Sequence, residues 1–456
     1  MDVYMGVKLR VSRRLLLFLC ITIESLVCSC ISSPVVGQTA KILTLNLEGA
    51  ITKAEANNPQ LLTTQRSINV AQAGVAVAKD RLNPRFSLDI PFGEAETKRI
   101  VGIEQLIELG GKRGTRLALA NSQVQQAQLQ LDNLRWQIRT QVRQAYTELA
   151  IAQGAQQNAE QSLAINQQLV DIAKLRFQVD DVAKADVVQA EFALSQAQQK
   201  VEPAVNRVHQ AIIRLNTLLG QPTDTVINLV DGQAFTFSLN GSQQGLAVIT
   251  KLPEVTGLKK LAKASRLDLA LAEQQIQINN NQIQVARSAR IPDVTLAASF
   301  VWDPGLSTAS VPSSTTTAVI LGARVDLPVF NSGASGVKQA RANFSVAQAQ
   351  KIALESQIDS EVAIAYENII SAQRLLERDR TVLLPQALEV LNLSRNSYQY
   401  GQTGLSDALL NQQSVQSVFD NFYADILAYQ TALGALEQVV NLPISAINNI
   451  NAPKIP

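Results

Sequence analysis

Side chains able to bind soft metals or to act as nucleophiles are scarce in this chain, and its cysteines lie at one end. Cys20, Cys28 and Cys30 are the three cysteines, and the single histidine is His209. His209 falls in a predicted helical stretch and is interpreted as a helix-surface or interface residue. The sequence contains no glycine-rich phosphate loop, nucleophile elbow or metal-ligand cluster. We therefore predict that the chain is not an enzyme and has no cofactor and no metal site of its own.

The first 37 residues have the pattern of a secretory signal peptide. Four basic residues between positions 8 and 14 precede an apolar run at 15–21, which is too short to span a bilayer as a helix. Cleavage after Gly37 would remove all three cysteines from the mature chain. Two alternatives remain open. Processing as a lipoprotein would attach a lipid to Cys30, and the segment could instead be retained as a buried N-terminus.

Composition narrows the class of the protein. The 40 basic and 38 acidic residues nearly balance, and aromatic residues make up only 5% of the sequence. Nucleic-acid binding is not expected, because it requires a basic face with interleaved aromatic residues. The low aromatic content and the abundance of Ala, Gln, Leu and Asn favour long helices that pack against each other through small side chains.

The sequence repeats itself at a distance of about 220 residues. Phe177 corresponds to Tyr398 and Asp186 corresponds to Asp407, both at an offset of 221 residues. A unit of this length is too long for a solenoid repeat and indicates a duplicated half-molecule. Each chain is therefore predicted to build two similar copies of one structure.

Each half is predicted to contain one long helix and two shorter helical stretches. The long helices are expected at 111–178 and 335–400, the second with a kink at Pro385. A helix of roughly 65 residues extends about 100 Å. Two short stretches end to end match that length, which favours a coiled coil of stacked short helices beside each long one. The short stretches are expected at 47–82, 184–219, 254–289 and 406–440.

One β-hairpin in each half interrupts the helices. Pro84 and Pro292 end the preceding helices, since proline removes a hydrogen-bond donor. Strands of about 8–11 residues that alternate apolar and polar positions are typical of outer-membrane barrels, although soluble hairpins show the same alternation. Arg324 and Asp326 fall on the face predicted to be polar. The apolar positions include Phe86, Leu88, Val294, Leu296, Ala298, Phe300 and Trp302.

Closure of such a sheet requires several chains. Four strands per chain cannot close a barrel, and open sheet edges are not tolerated in lipid. Two chains would give eight strands and a barrel filled by its own side chains, whereas three would give twelve strands and a lumen. A homotrimer is therefore preferred. The predicted fold class is mainly α with a small β part, namely a long α-helical coiled-coil barrel plus a transmembrane β-barrel formed by a trimer, with internal duplication.

These elements divide the chain into five segments. A signal peptide (1–37) precedes the first repeat (38–223, with its hairpin at 85–109), an equatorial linker (224–250), the second repeat (251–442, with its hairpin at 291–330) and a C-terminal tail (443–456).

The order of these elements, together with short strings, resembles the TolC family of outer-membrane efflux proteins over essentially the whole mature chain. The string from Glu108 to Arg113 resembles the start of the family's long helix, especially in its heavy-metal, CzcC-like branch. The string from Leu327 to Gly333 resembles its counterpart in the second copy. The resemblance implies an outer-membrane location with a periplasmic extension, contact with outer-membrane lipid, and a tunnel that meets an inner-membrane pump through a periplasmic adaptor protein.

The resemblance also implies a periplasmic gate. Tyr398 and Asp407 match a tyrosine and an aspartate at the entrance, and Asp186 matches an aspartate that can bond to that tyrosine. The family's best-studied member also has an arginine and a second aspartate there, where this chain has Thr403 and Leu410. We therefore expect no charged lock and a single ring of Asp407 carboxylates. Asp407 also fits as a helix N-cap or first-turn acid.

The function implied by the resemblance is the exit duct of a tripartite efflux system, with metal cations as one candidate cargo. Type I protein secretion and drug export are equally compatible with a water-filled tube. A structural coiled-coil surface protein without a lumen is the alternative from a different class. The paired hairpins favour the duct, because a surface adhesin needs neither their alternation nor their matched placement.

Overall fold

The computed structural model describes residues 42–90, 98–230, 252–303, 305, 315–443 and 446–447. The predicted signal peptide, its cleavage after Gly37 and the lipidation of Cys30 lie outside these residues and stay predictions. The described elements from Leu43 onward belong to a single unit. None of the helices in the described ranges combines the length and the apolar character needed to cross a membrane.

Helices dominate the described chain, and the order helix, hairpin, long helix, helix occurs twice. The helices are α1 (Leu47–Asn57), α2 (Pro59–Lys79), α3 (Lys112–Gln178), α4 (Lys184–Leu218), α5 (Val255–Ser265), α6 (Leu267–Ser288), α7 (Ala334–Arg378), a π-helical turn (Asp379–Leu383), α8 (Leu384–Gln399) and α9 (Leu405–Val440). The strands are β1 (Leu43–Leu45), β2 (Arg85–Asp89), β3 (Arg99–Ile107), β4 (Ile227–Leu229), β5 (Val294–Asp303) and β6 (Thr316–Val325). The predicted internal duplication is confirmed.

Helix α3 is the longest element and continues unbroken for 67 residues. It begins after Gly111, whose φ of 70° is a left-handed conformation that suits glycine, and α7 begins after Gly333 at 68°. Apolar residues recur along α3 at intervals of three and four positions, as in the seam of a coiled coil, and most of them are buried, including Leu131 and Ile138. Helices α1, α2, α4, α6 and α9 all pack against α3.

The second long helix is divided by the π-helical turn. Helix α7 ends at Arg378, the turn follows at once, and Pro385 lies in the first turn of α8. Proline has no N–H to bond to a carbonyl of the turn before it and its ring crowds that turn, and the helix is widened into the π-helical turn at this point. The disturbance predicted at Pro385 is therefore found as a π-helical turn directly before the proline.

The prediction of one unbroken helix at 47–82 was wrong, because the chain breaks between α1 and α2. Asn58 adopts an extended conformation, as the residue before a proline tends to do. Its side chain accepts a hydrogen bond from the backbone N–H of Gln60 at 2.9 Å, and its amide donates to the carbonyl of Leu218 at 2.9 Å. Asn58 therefore caps α2 and fixes the break against the end of α4.

The prediction of one helix at 254–289 was wrong for a different reason. Arg266 is extended although no proline follows it (φ −68°, ψ 122°). Its guanidinium binds the carboxylates of Asp268 and Glu361, the latter on α7. The break between α5 and α6 is therefore stabilised by a long-range ion-pair network, whereas the break between α1 and α2 is stabilised by the Asn58–Pro59 step.

The two hairpins join into one antiparallel sheet in the order β2-β3-β5-β6. Phe300 lies opposite both Val101 and Val319, so these residues share a face. That face also carries Phe86, Leu88, Ile103, Leu296, Leu321 and Trp302, whereas the other carries Arg85, Ser87, Glu104, Ser299 and Arg324. Arg324 approaches Glu104 at 3.6 Å. The predicted alternation is therefore found only in part. Arg99 and Gln105 lie on the apolar face, Ile100, Val301 and Ile320 lie on the polar face, and Asp326 lies just beyond the end of β6.

A short parallel pair lies outside this sheet. Strand β1 pairs with β4, with Leu43 opposite Ile227 and Leu45 opposite Leu229. Ile227 and Leu229 are buried in the main core. Since β4 belongs to the segment predicted as an irregular linker at 224–250, the beginning of that segment is ordered against the start of the first repeat.

The apolar sheet face leads to a test of membrane contact. Leu296 is 46% exposed on that face, so we expect Leu296→Arg to impair barrel insertion by about 2–4 kcal/mol, the cost of a lipid-facing arginine near the midplane. The measurement is the yield of heat-resistant oligomers in outer-membrane fractions. Ala297→Arg is the matched control, because Ala297 lies opposite Glu104 and Gly322 on the polar face. Equal yields from the two variants would contradict the assignment of the faces.

Candidate gate at the helix tips

Each of the two long helices is joined to the helix that follows it by one tight turn. In the first turn Asp180 has a positive φ of 60°, and in the second Gly401, 221 residues later, has a φ of 72°. Asp186 and Asp407 are each the third residue of the helix after the turn. The correspondence between the two tips therefore extends to the backbone conformation. We refer to these turns and the adjoining helix ends as the tip.

Tyr398 is the anchor of the tip. Its side chain, near the end of α8, is fully buried. Helices α3, α4 and α9 surround it with an apolar cluster that is separate from the main core and consists of Leu169, Val170, Ala173, Ala190, Leu405 and Ala408. The ring of Tyr398 therefore ties the end of the second long helix to three other helices.

Arg176, in the last turn of α3, connects the two turns directly. Its Nε donates to Oδ2 of Asp181 at 2.6 Å, and its Nη1 donates to the backbone carbonyl of Tyr398 at 3.0 Å. The guanidinium carbon lies 5.1 Å from the centroid of the Tyr398 ring. With only 14% of the side chain exposed, these charge-assisted bonds are partly shielded from water. We call this arrangement of Arg176, Asp181 and Tyr398 the arginine clamp.

The Tyr398 hydroxyl makes no hydrogen bond within the described part of the chain, and neither does Oγ1 of Thr403. The bond from Tyr398 to Asp186 that the resemblance implies is therefore not formed inside one chain. Burial raises the pKa of the Tyr398 hydroxyl, Arg176 partly offsets this, and the nearby carboxylates of Asp186 and Asp181 raise it further. The phenol is consequently neutral at physiological pH.

Asp407 lies at the surface of the tip. It belongs to the first turn of α9, where Gly404 is the N-cap and provides no side-chain hydrogen bond. Of the two helix-terminal roles predicted for Asp407, the structure shows the first-turn acid, which the positive end of the helix dipole stabilises. Its carboxylate is exposed and can still contribute to an acidic ring.

Sequence reasoning missed Arg176. The residue 221 positions later is Ser397, so comparison of the two repeats gave no sign of an arginine at this place. The absence of a charged lock, expected because Thr403 stands where the family's best-studied member has an arginine, stays a prediction. Within one chain, Arg176 of the first repeat supplies an ion pair with Asp181 in the tip. The available signal was a single basic residue one turn before the acidic pair Asp180-Asp181.

The side chains that could bind a metal do not cluster in the described ranges. No group of three or more His, Cys, Asp or Glu residues is placed to hold a metal ion there. His209 is exposed on α4, in agreement with its interpretation as a helix-surface residue.

Comparison with known proteins identifies the family. The model of the outer membrane efflux protein family matches residues 50–221 and 258–442, once for each repeat. The chain belongs to this family. The family and the fold are those of transport channels, and the predicted outer-membrane location and efflux-duct function are confirmed.

Curated relatives include proteins of metal resistance. The chain is 24% identical over 302 residues to the nickel-cobalt-cadmium resistance protein NccC of Alcaligenes xylosoxydans xylosoxydans. This alignment covers 64% of this chain and 63% of NccC. It is 21% identical over 372 residues to the cobalt-zinc-cadmium resistance protein CzcC of Cupriavidus metallidurans. This alignment covers 81% of this chain and 84% of CzcC.

Solved structures show the same fold. The outer-membrane channel OprN superposes with a TM-score of 0.68 at 18% identity, covering 86% of this chain and 89% of OprN. CusC, described as forming a transmembrane channel, superposes with a TM-score of 0.66 at 16% identity, and the match covers 90% of this chain and 96% of CusC. The predicted fold class is thereby confirmed.

The arginine clamp predicts how tip variants differ. Arg176→Ala removes two charge-assisted hydrogen bonds, each contributing about 1.5–3 kcal/mol, so we expect a higher open probability in planar bilayers. Tyr398→Phe removes only a hydroxyl without an intrachain partner, so its conductance should stay near wild type.

Arg176→Lys is the matched control for charge, since lysine keeps the cation but lacks the planar fork and should give an intermediate effect. A tip that opened as readily in Tyr398→Phe as in Arg176→Ala would show that the hydroxyl, and not the clamp, holds it shut.

Proposed function

We propose that three copies of this chain form the exit duct of a tripartite efflux system, together with a periplasmic adaptor protein and an inner-membrane pump, and that the duct carries divalent metal cations. The single observation that supports this most strongly is the family match to both repeats. The names of two relatives, which refer to resistance to nickel, cobalt, zinc and cadmium, support the choice of cargo.

The open edges of the sheet support assembly. Within the described residues, β2 and β6 each have one neighbour, so both outer edges present unpaired backbone groups. In lipid such groups need partners, which a neighbouring copy of the same sheet supplies when the barrel closes. Twelve strands from three chains give a barrel wide enough for a lumen.

The tip supports the role of a gate. Tyr398 and the arginine clamp hold the two turns of one chain together, while the exposed Asp407 carboxylate is free to face the entrance. We propose that three Asp407 carboxylates gather near the threefold axis and favour cations, as rings of acidic side chains do in channels. Burial is the main cause that raises the pKa of the Tyr398 phenol, and the negative charge of Asp186 in the neighbouring turn raises it further.

Cargo selection is assigned to the pump. The described residues contain no cluster able to bind a metal tightly, so the duct passes cations without retaining them. A duct for drugs or for secreted proteins would use the same architecture, and a structural surface protein without a lumen is disfavoured by the family match.

The cargo is tested by deleting the gene in the source organism. We expect the deletion strain to become sensitive to cobalt, nickel, zinc or cadmium and to accumulate more of that cation, and the intact gene should restore both. Growth and cell-associated metal are the measurements. Unchanged metal tolerance with new sensitivity to organic drugs, or with loss of a secreted protein, would replace the cation assignment by one of the other two cargoes.

The acidic ring is tested by Asp407→Asn. Loss of three carboxylates at the entrance should lower the cation-over-anion preference, measured as the reversal potential in planar bilayers under a salt gradient. The difference should shrink as salt rises, because salt screens exposed charges. Asp407→Glu is the matched control and should keep the preference. An unchanged reversal potential in Asp407→Asn would leave Asp407 with a role in helix α9 alone.

A further inference from the structure

The π-helical turn of the second long helix places a carboxyl group where water hardly reaches it. Asp379, the first residue of the turn, is only 7% exposed, between Leu376 and Leu384, which are fully buried. The backbone N–H of Leu384 bonds to the carbonyl of Asp379, five residues earlier. Turns of this kind are rare and frequently lie at functional sites. The function described above makes no use of this carboxyl group.

The partner of Asp379 is another carboxyl group. Asp425, on α9, lies within hydrogen-bonding reach of it. Two carboxylates can only accept hydrogen bonds, and Oδ2 of Asp379 has no partner among the described residues when both are ionised. A single proton between the two groups would turn this repulsive contact into an O–H···O bond and satisfy the buried oxygen.

The surrounding charges do not neutralise the pair. Arg378, the last residue of α7, is the cation that acts on Asp379, and it is exposed. Glu377 and Arg380 approach each other at 3.6 Å. Helix α9 contains no Lys or Arg, and its next carboxylates are Asp420, which is exposed, and Glu437, which pairs with Arg143. On the side of α9 toward α3 and α4, Glu148 pairs with Arg214 at 2.8 Å.

The pair takes up its proton at a mildly acidic pH. Burial, followed by the contact with Asp425, raises the pKa of Asp379 from 3.8 to about 6, and Arg378 opposes this only partly. Because the folded state holds the proton more tightly than the unfolded state, the stability it gives is complete below pH 3.8 and is lost as the pH rises through about 6. At neutral pH Asp379 in the folded chain has therefore lost the proton that satisfied its contact with Asp425.

We propose that Asp379 and Asp425 form a proton-controlled joint: a shared proton holds the π-helical turn against α9 in acid, and its loss loosens this contact at neutral pH. Helix α8 starts at the joint and carries Tyr398 near its other end. Loosening of the joint therefore reaches the tip through one short helix, and acid favours the closed tip. The effect on stability depends on the geometry of this chain alone, whereas the effect on conductance also rests on the proposed duct.

The joint is tested first by thermal unfolding of the full-length protein in detergent at pH 5 and pH 7.5. We expect the midpoint of the wild type to be lower at pH 7.5 by on the order of 2–4 °C. In Asp379→Asn the amide donates to Asp425 at both pH values, so this difference should disappear. Asp420→Asn, an exposed change on the same helix, should behave like the wild type. Equal pH dependence in Asp379→Asn and wild type would overturn the proposal.

A spectroscopic readout covers the case in which Asp379→Asn does not fold. The infrared difference spectrum between pH 5 and pH 7.5 should contain a protonated-carboxyl band that is weakened and shifted in Asp425→Asn, where burial alone raises the pKa of Asp379, and retained in Asp420→Asn. A band that is identical in Asp425→Asn and the wild type would show that Asp425 does not share the proton and would overturn the proposal. Conductance distinguishes the joint itself from its proposed effect on the tip. If stability depended on pH but conductance did not, the joint would stand and its link to the tip would be rejected.

Discussion

The length of α3 is the constraint on which the rest of the chain depends. A straight helix of 67 residues extends about 100 Å and cannot bury its apolar stripe against any single neighbour of ordinary length. The chain meets this requirement with shorter helices placed one after another along it, α1, α2 and α6 over one part and α4 and α9 over the other. Alanines such as Ala145 and Ala150 in the seam are fully or almost fully buried and let the helices approach closely.

Stacking short helices along a long one creates breaks that need capping, and the two repeats solve this with different residues. The first break uses Asn58 and Pro59, a local signal, whereas the second uses Arg266 held by carboxylates on α6 and α7. Another junction shows the same divergence. Gly220 and Asn441, 221 residues apart, both have positive φ, and a Cβ at Gly220 would come within 2.4 Å of the Asn57 carbonyl. The duplicated backbone is therefore kept while the side chains that stabilise it have changed.

The parts of the structure that could be predicted are those controlled by patterns within one element. The stripe along α3, the alternation in β5 and the offset of 221 between Asp186 and Asp407 are visible in the sequence because each depends on periodicity or repetition. What could not be predicted depends on contacts between distant segments. The helix break at Arg266 requires Glu361, and the role of Arg176 requires the carbonyl of Tyr398. The 95 positions between Arg266 and Glu361 and the 222 between Arg176 and Tyr398 follow neither the helical period nor a match between the two repeats, because Ser397 is the counterpart of Arg176.

Polar contacts fix helix α8 near both of its ends. At its start, the π-helical turn brings Asp379 against Asp425, and near its end Arg176 binds the carbonyl of Tyr398. Its 16 residues extend only about 24 Å. Helix α3 has no corresponding break along its 67 residues. Under the proposed joint, a change of the tip therefore involves one short segment of one helix and not the coiled coil along its whole length.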